Sequence, residues 1–225
     1  MKKKTQIYVE NRSTWKEEYG TFIVRLDKTS FDIKTINKIF SIEKIPLSIL
    51  DAGCSYGYHL KLLKCINPSL KLYGLEISKD ALKLTKKMNI AQVYNQSISD
   101  KFNFKENEFD LIYSMDVIEH LKNKEELIKF LAESSRVLKK EGVIIIKTPA
   151  MNLTSLIAAM FSFNLSKYFC TDHTLPLNYK RIKELIPPSL EIKKVFYTEN
   201  KDNKLINTIC NLFKMHHIWV ILKKK

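Results

Sequence analysis

Between Leu47 and Lys147, short apolar runs alternate with stretches of helical period, and this alternation restricts the chain more than any other feature. Leu47–Leu50, Leu70–Leu75, Ala91–Tyr94, Phe109–Tyr113 and Val143–Lys147 are nearly continuous in apolar or β-branched residues. That is the signature of strands buried on both faces. Leu60, Leu62, Leu63 and Ile66 keep a helical spacing up to Asn67-Pro68, and Ser78 can cap a helix reaching Met88. Asn123, with Glu126 three residues on, makes a variant capping box ahead of Leu127 and Leu131, in a helix read as ending at Gly142. Strand–helix repetition of this kind predicts an α/β chain with a mostly parallel sheet covered by helices on both faces.

The flanks carry further elements. Ile33, Ile36, Ile39 and Phe40 predict a helix ahead of Pro46, and Leu153, Leu156, Ile157, Met160 and Phe161 describe another apolar helix face. The favoured reading places that face in the core; the alternative is an apolar lid for a lipid-like or isoprenoid substrate, in contact with a membrane. Tyr179–Ile186 reads as a helix, Leu205–Phe213 as another, and Ile192–Tyr197 and Ile218–Leu222 as closing strands. We expect a single domain over residues 1–225, with 1–30 as an N-terminal cap and 150–187 as a helical lid over the substrate.

The segment with most chemical content is Asp51-Ala52-Gly53-Cys54-Ser55-Tyr56-Gly57, which closes the first strand and opens a helix. A glycine turn there lets backbone N–H groups approach a ligand closely, because a Cβ would block the approach or forbid the required φ. Glu76 ends the next strand, where an acid can accept both hydroxyls of a ribose. Either feature alone reads equally well as plain structure, whereas the pair at this spacing points to a nucleoside site.

Ile49–Gly57, Leu72–Glu76, the stretch EFDLIYSMDVIEHL from Glu108 to Leu121, and Arg136 onward to Pro149 resemble class I S-adenosylmethionine-dependent methyltransferases. The resemblance implies a Rossmann-like sheet of seven strands whose last strand is antiparallel and inserted beside the sixth. It implies that Gly53, Ser55 and Gly57 line the methionine part of S-adenosylmethionine with Asp51 beneath them. Glu76 would hold the ribose and Ile77 would pack on adenine. Ser97 and Ile98 would border the adenine edge, and Ser114 and Met115 would sit near the sulfonium. Two departures stand out: Ser55 replaces the commoner middle glycine, and no acid directly follows the third strand.

Asp116-x-x-Glu119-His120 is expected at the start of the helix after the fourth strand, with all three on one face. It resembles a pattern in the ubiquinone-pathway O-methyltransferases and the small-RNA 3′-end methyltransferases. There an acid-x-x-Glu-His set, sometimes with a later His, gathers a divalent metal that polarises the acceptor hydroxyl. In this chain the later residue is His173. The favoured reading makes His120 and His173 proton acceptors beside the substrate, with a divalent metal as the alternative. Asp116 is shorter than the Glu usual at its position.

Charge bears on the partner. There are 38 Lys+Arg against 24 Asp+Glu, a formal +14, which is compatible with a nucleic-acid partner. Only Arg12, Arg25, Arg136 and Arg181 are arginines, and no aromatic-basic stripe accompanies the lysines. Cys54, Cys65, Cys170 and Cys210 form no CxxC pair, and no apolar run suits a signal peptide or a membrane span. These features lead us to expect a cytoplasmic enzyme that methylates a small molecule or lipid precursor on oxygen. The alternatives are an RNA methyltransferase and a non-catalytic cofactor-binding protein.

Overall fold

A computed structural model describes residues 35–36, 47–150, 174–175, 177–198, 208–209, 212 and 216–225. Seven strands make one sheet: β1 Ser48–Ala52, β2 Lys71–Glu76, β3 Gln92–Asn95, β4 Phe109–Met115, β5 Leu138–Pro149, β6 Leu190–Thr198 and β7 His217–Lys224. Their order across the sheet is β3-β2-β1-β4-β5-β7-β6. The pairs from β3 through β5 are parallel, and β7 lies antiparallel between β5 and β6. This is the sheet expected from the sequence.

Helices α1 Tyr58–Ile66, α2 Lys79–Lys87, α3 Lys124–Val137 and α4 Tyr179–Leu185 join the strands. Period-two alternation divides the strand residues between two cores. Leu50, Leu75, Ile112, Ile144 and Val220 pack with Leu127, Phe130 and Leu131 of α3 on one face. On the other, Ile49, Leu72, Leu111, Ile145 and Trp219 pack with Leu60 and Leu63 of α1, Leu82 of α2, and Ile36. Burial on both faces explains why the strands read as unbroken apolar runs.

Local capping agrees with the residues that predicted it. Ser78 Oγ accepts from the Ala81 N–H, and Asn123 Oδ1 accepts from the Glu126 N–H at 3.0 Å. The carboxylate of Glu126 returns to the N–H of Lys122, one residue earlier than in a standard capping box.

Two expectations need correction. Helix α3 ends at Val137, not at Gly142, because Leu138 turns extended and pairs with Phe109 of β4. Gly142 instead falls within β5, where the register jumps from Phe109↔Leu138 to Leu111↔Val143 and Glu141 takes φ +68. Residues 116–120 do not begin a helix: Asp116 has φ +56, and Ile118–His120 form one 3-10 turn. Asp116, Glu119 and His120 therefore share no helix face.

Residues 1–30, the face from Leu153 to Phe161 and most of Leu205–Phe213 lie outside the described residues. Among the described residues, no helix is long and apolar enough to cross a membrane.

Candidate active site

The chain runs from β1 outward to β2 and β3, then returns to β4 on the other side of β1. The crevice at the carboxyl ends of these strands, where the direction of winding switches, is where ligands bind in open α/β sheets. A cavity of about 780 Å³ opens there, lined by Gly53 and Ser55 after β1, Glu76 and Ile77 after β2, and residues 96–100 after β3. Met115, Asp116, Val117 and His120, at the end of β4, form its other wall.

The turn after β1 explains its own sequence. Gly53 has φ +93, and a Cβ on it would stand 2.5 Å from Val117 Cγ2, inside the cavity wall. Both the Gly53 and Cys54 amides donate to the Leu75 carbonyl, which binds the turn to β2. Ser55 also adopts a left-handed φ of +46, although it is not glycine. Its N–H donates to Glu76 Oε2 at 2.8 Å and its carbonyl accepts from the Thr85 hydroxyl at 2.9 Å. Glu76 Oε1 takes the Ser78 N–H at 2.7 Å. A carboxylate has roughly four lone-pair positions; two hold these amides and two remain for hydroxyls of a ligand. Ile77 is 72% exposed beside it and offers an apolar surface to the cavity.

Beneath the turn, Asp51 is only 2% exposed. Burial raises its pKa to about 7, against the opposing pull of His59 and Tyr113, and Glu76 adds to the rise. Tyr113 lies opposite Asp51 in register, though its hydroxyl makes no well-directed hydrogen bond to the carboxyl. Burial likewise pushes the Cys54 thiol up.

Of the residues singled out from the sequence, Gly53, Ser55, Glu76, Ile77, Ser97, Ile98, Met115 and His120 line the cavity. Asp51 supports it from below. Gly57 stands one step back as the N-cap of α1, with φ +74. Ser114 is fully buried and donates to the Ala52 carbonyl, so it ties β4 to β1 and does not line the cavity. His173 lies outside the described residues; its chain neighbour Thr174 donates to the Leu121 carbonyl at 2.7 Å.

Three functional candidates escaped the sequence. Asp100 lines the cavity, folded back by an Asp100 N–H to Ser97 carbonyl bond. It places an acid on the cavity wall beyond the end of β3. Lys147 and His217 both reach Asp116, a contact that depends on strands far apart in sequence.

The strand order and the placement of the crevice define the class I methyltransferase fold. Residues 50–146, under half of the chain, match the family described as the methyltransferase domain; this match, the fold and the relatives that follow support a class I S-adenosylmethionine-dependent methyltransferase. It is 28% identical over 117 residues to a ubiquinone biosynthesis O-methyltransferase of Pelagibacter ubique (strain HTCC1062), covering 51% of this chain and 47% of that one. A mitochondrial ubiquinone biosynthesis O-methyltransferase of Dictyostelium discoideum is 28% identical over 128 residues, covering 51% and 39%. The chain thus spans less than half the length of either relative. Among solved structures, a geranyl diphosphate methyltransferase in complex with S-adenosylmethionine has a TM-score of 0.65 at 10% identity, covering 87% and 85% of the two chains. The plantazolicin methyltransferase in complex with S-adenosylhomocysteine has a TM-score of 0.62 at 17% identity, covering 89% and 83%.

Proposed function

We propose that the cavity binds S-adenosylmethionine and that the chain methylates a small molecule or lipid precursor on a hydroxyl oxygen. The observation that carries this reading is Glu76, a carboxylate fixed by two backbone amides at the rim, with acceptor positions left for a pair of hydroxyls. The surroundings fit the rest of the cofactor. Gly53 leaves room where a side chain would intrude, Ile77 offers an apolar face to a flat base, and Asp100 with Ser97 offers acceptors to an exocyclic amine. Met115 stands at the end of β4 facing the same space.

When bound, S-adenosylmethionine supplies an electrophilic methyl group on a sulfonium. The protein's contribution is alignment and exclusion of water. His120 lines the cavity, with Glu119 Oε1 at 3.9 Å from its Nε2, and takes the hydroxyl proton as the acceptor oxygen forms its bond to carbon. The cofactor would also supply the leaving group, its sulfur keeping the electron pair of the carbon–sulfur bond. His173 is the second base in this reading. The likeness to the ubiquinone-pathway enzymes supports oxygen as the acceptor atom.

Two measurements test this. Calorimetric titration of the full chain should show binding of S-adenosylmethionine and S-adenosylhomocysteine; absence of both overturns the cofactor assignment. A labelled-methyl screen over extract fractions should place the label on oxygen in the small-molecule or lipid fraction. Label confined to RNA or protein overturns the acceptor assignment.

A further inference from the structure

Three adjacent strands converge on one carboxylate at the cavity wall. Asp116, just beyond β4, takes a left-handed φ of +56, which Asp tolerates better than most residues. Its N–H donates to the Lys147 carbonyl at 2.9 Å, and its Oδ2 receives the Lys147 ammonium, also at 2.9 Å. Lys147 comes from β5 and is 2% exposed, with its Nζ 5.8 Å from the centre of the Trp219 ring on β7. His217, the first residue of β7, brings Nε2 to 3.7 Å from Asp116 Oδ1. A lysine so deeply buried persists only with a charge partner, so this pair is part of the fold and not an accident of the surface.

The arrangement conflicts with a metal at the acid-x-x-Glu-His segment. Asp116 already carries an ammonium. Glu119 is 1% exposed and does not line the cavity; its Oε2 accepts the Thr148 hydroxyl at 3.0 Å. Among the described residues, no three His, Cys, Asp or Glu side chains gather as a metal site. A dication on Asp116 would face the buried Lys147 ammonium within a few ångströms, a repulsive pairing.

We propose that Lys147 is the built-in cation of the acceptor side. Its ammonium pairs with Asp116 and fixes it at the cavity wall, no divalent ion binds residues 116–120, and Asp116 orients the acceptor by accepting from a donor other than the reacting hydroxyl, whose proton goes to His120. Lys147 is the positioning residue and Asp116 the group that meets the acceptor. The substrate class follows: a neutral acceptor that carries, beside the reacting hydroxyl, a second donor for a carboxylate, and not an anionic oxygen pair that needs a dication between itself and the protein. This inference rests on reading the cavity as the S-adenosylmethionine site.

The test has two parts. The full-length wild type is titrated with Mn²⁺ while the imidazole resonances of His120 and His217, assigned with His120→Gln and His217→Gln, are followed by nuclear magnetic resonance. Both stay sharp at millimolar Mn²⁺; selective broadening of the two overturns the proposal. The second part compares affinities for cationic S-adenosylmethionine and neutral S-adenosylhomocysteine. Lys147→Met uncovers a negative charge and raises the preference for the cation by about 3–10-fold, the scale of one partly screened charge a few ångströms away. Lys147→Arg keeps the wild-type preference, and Asp116→Asn lowers it, which serves equally if Lys147→Met does not fold. A folded Lys147→Met or Asp116→Asn with an unchanged preference overturns the proposal. Failure of the wild type to bind either ligand overturns the cofactor reading instead, and the Mn²⁺ result still decides the metal question.

Discussion

The backbone amide of Ser55 and the carboxylate of Glu76 meet at 2.8 Å, so the turn after β1 is held open by a residue 21 positions further along the chain. Glu76 therefore fixes the turn, and in the proposed reading it also presents acceptor positions to a ligand. Glu76→Ala should weaken S-adenosylhomocysteine binding by roughly 1.5–3 kcal/mol, the scale of hydrogen bonds to a charged group. Glu76→Gln cannot accept from both the Ser55 and Ser78 amides and should fall between wild type and alanine. Calorimetry on the three proteins checks the order; equal affinities would remove Glu76 from the site.

Gly53→Ala should cost stability as well as binding. The new Cβ meets Val117 in a left-handed backbone, and backbone strain plus overpacking together amount to roughly 2–5 kcal/mol. Adding Val117→Ala removes the two methyl contacts but leaves the Cβ of residue 117 at 3.1 Å and the strain in place. Denaturant melts should show partial recovery in the double variant.

Asp51 sets a pH dependence whose sign is fixed by its burial. Its folded pKa of about 7 lies above the ordinary 3.8, so the folded state holds the proton more tightly. The stability it contributes is complete below pH 3.8, declines as pH rises, and is lost above about pH 7. Asp51→Asn stays neutral throughout. It should match the wild type near pH 4 and exceed it by about 3–5 kcal/mol near pH 8, since each tenfold gain in proton affinity is worth roughly 1.4 kcal/mol. Melts of the two proteins side by side across that range would test this; curves that never diverge count against a buried, protonated Asp51.

Arg136 holds the segment between β3 and β4 from beneath. Its guanidinium donates to the carbonyls of Phe102 and Phe104 and pairs with Glu133, whose Oε2 also accepts the Phe102 N–H. The Arg136 contact keeps the Glu133 carboxyl below its usual range. Arg136→Met should lower stability by about 1–3 kcal/mol. It should also raise amide hydrogen exchange over residues 96–104, while the preference between the two cofactor forms stays unchanged.

The sheet was legible because each strand is buried on both faces and announces itself as an apolar run. The Glu76 site was legible because it is local, made within one strand–helix–strand unit. Asp100 was hidden because a turn after β3 carries it back from a position displaced along the chain. The Asp116–Lys147–His217 contact was not legible for a different reason. It exists only because β5 lies beside β4 and β7 beside β5, an adjacency that no spacing within a single sequence encodes. The expected helix at 116–120 failed because local periodicity cannot register the left-handed turn at Asp116.

The inserted antiparallel strand also constrains the order of assembly. In the finished sheet β6 is hydrogen-bonded to β7 alone, yet it is synthesised first. A nascent chain must therefore hold that segment in waiting until the final strand emerges and wedges in beside β5. Only then do His217 and the indole beside Lys147 arrive, so the wall that carries Asp116 is the last part of the sheet to be completed.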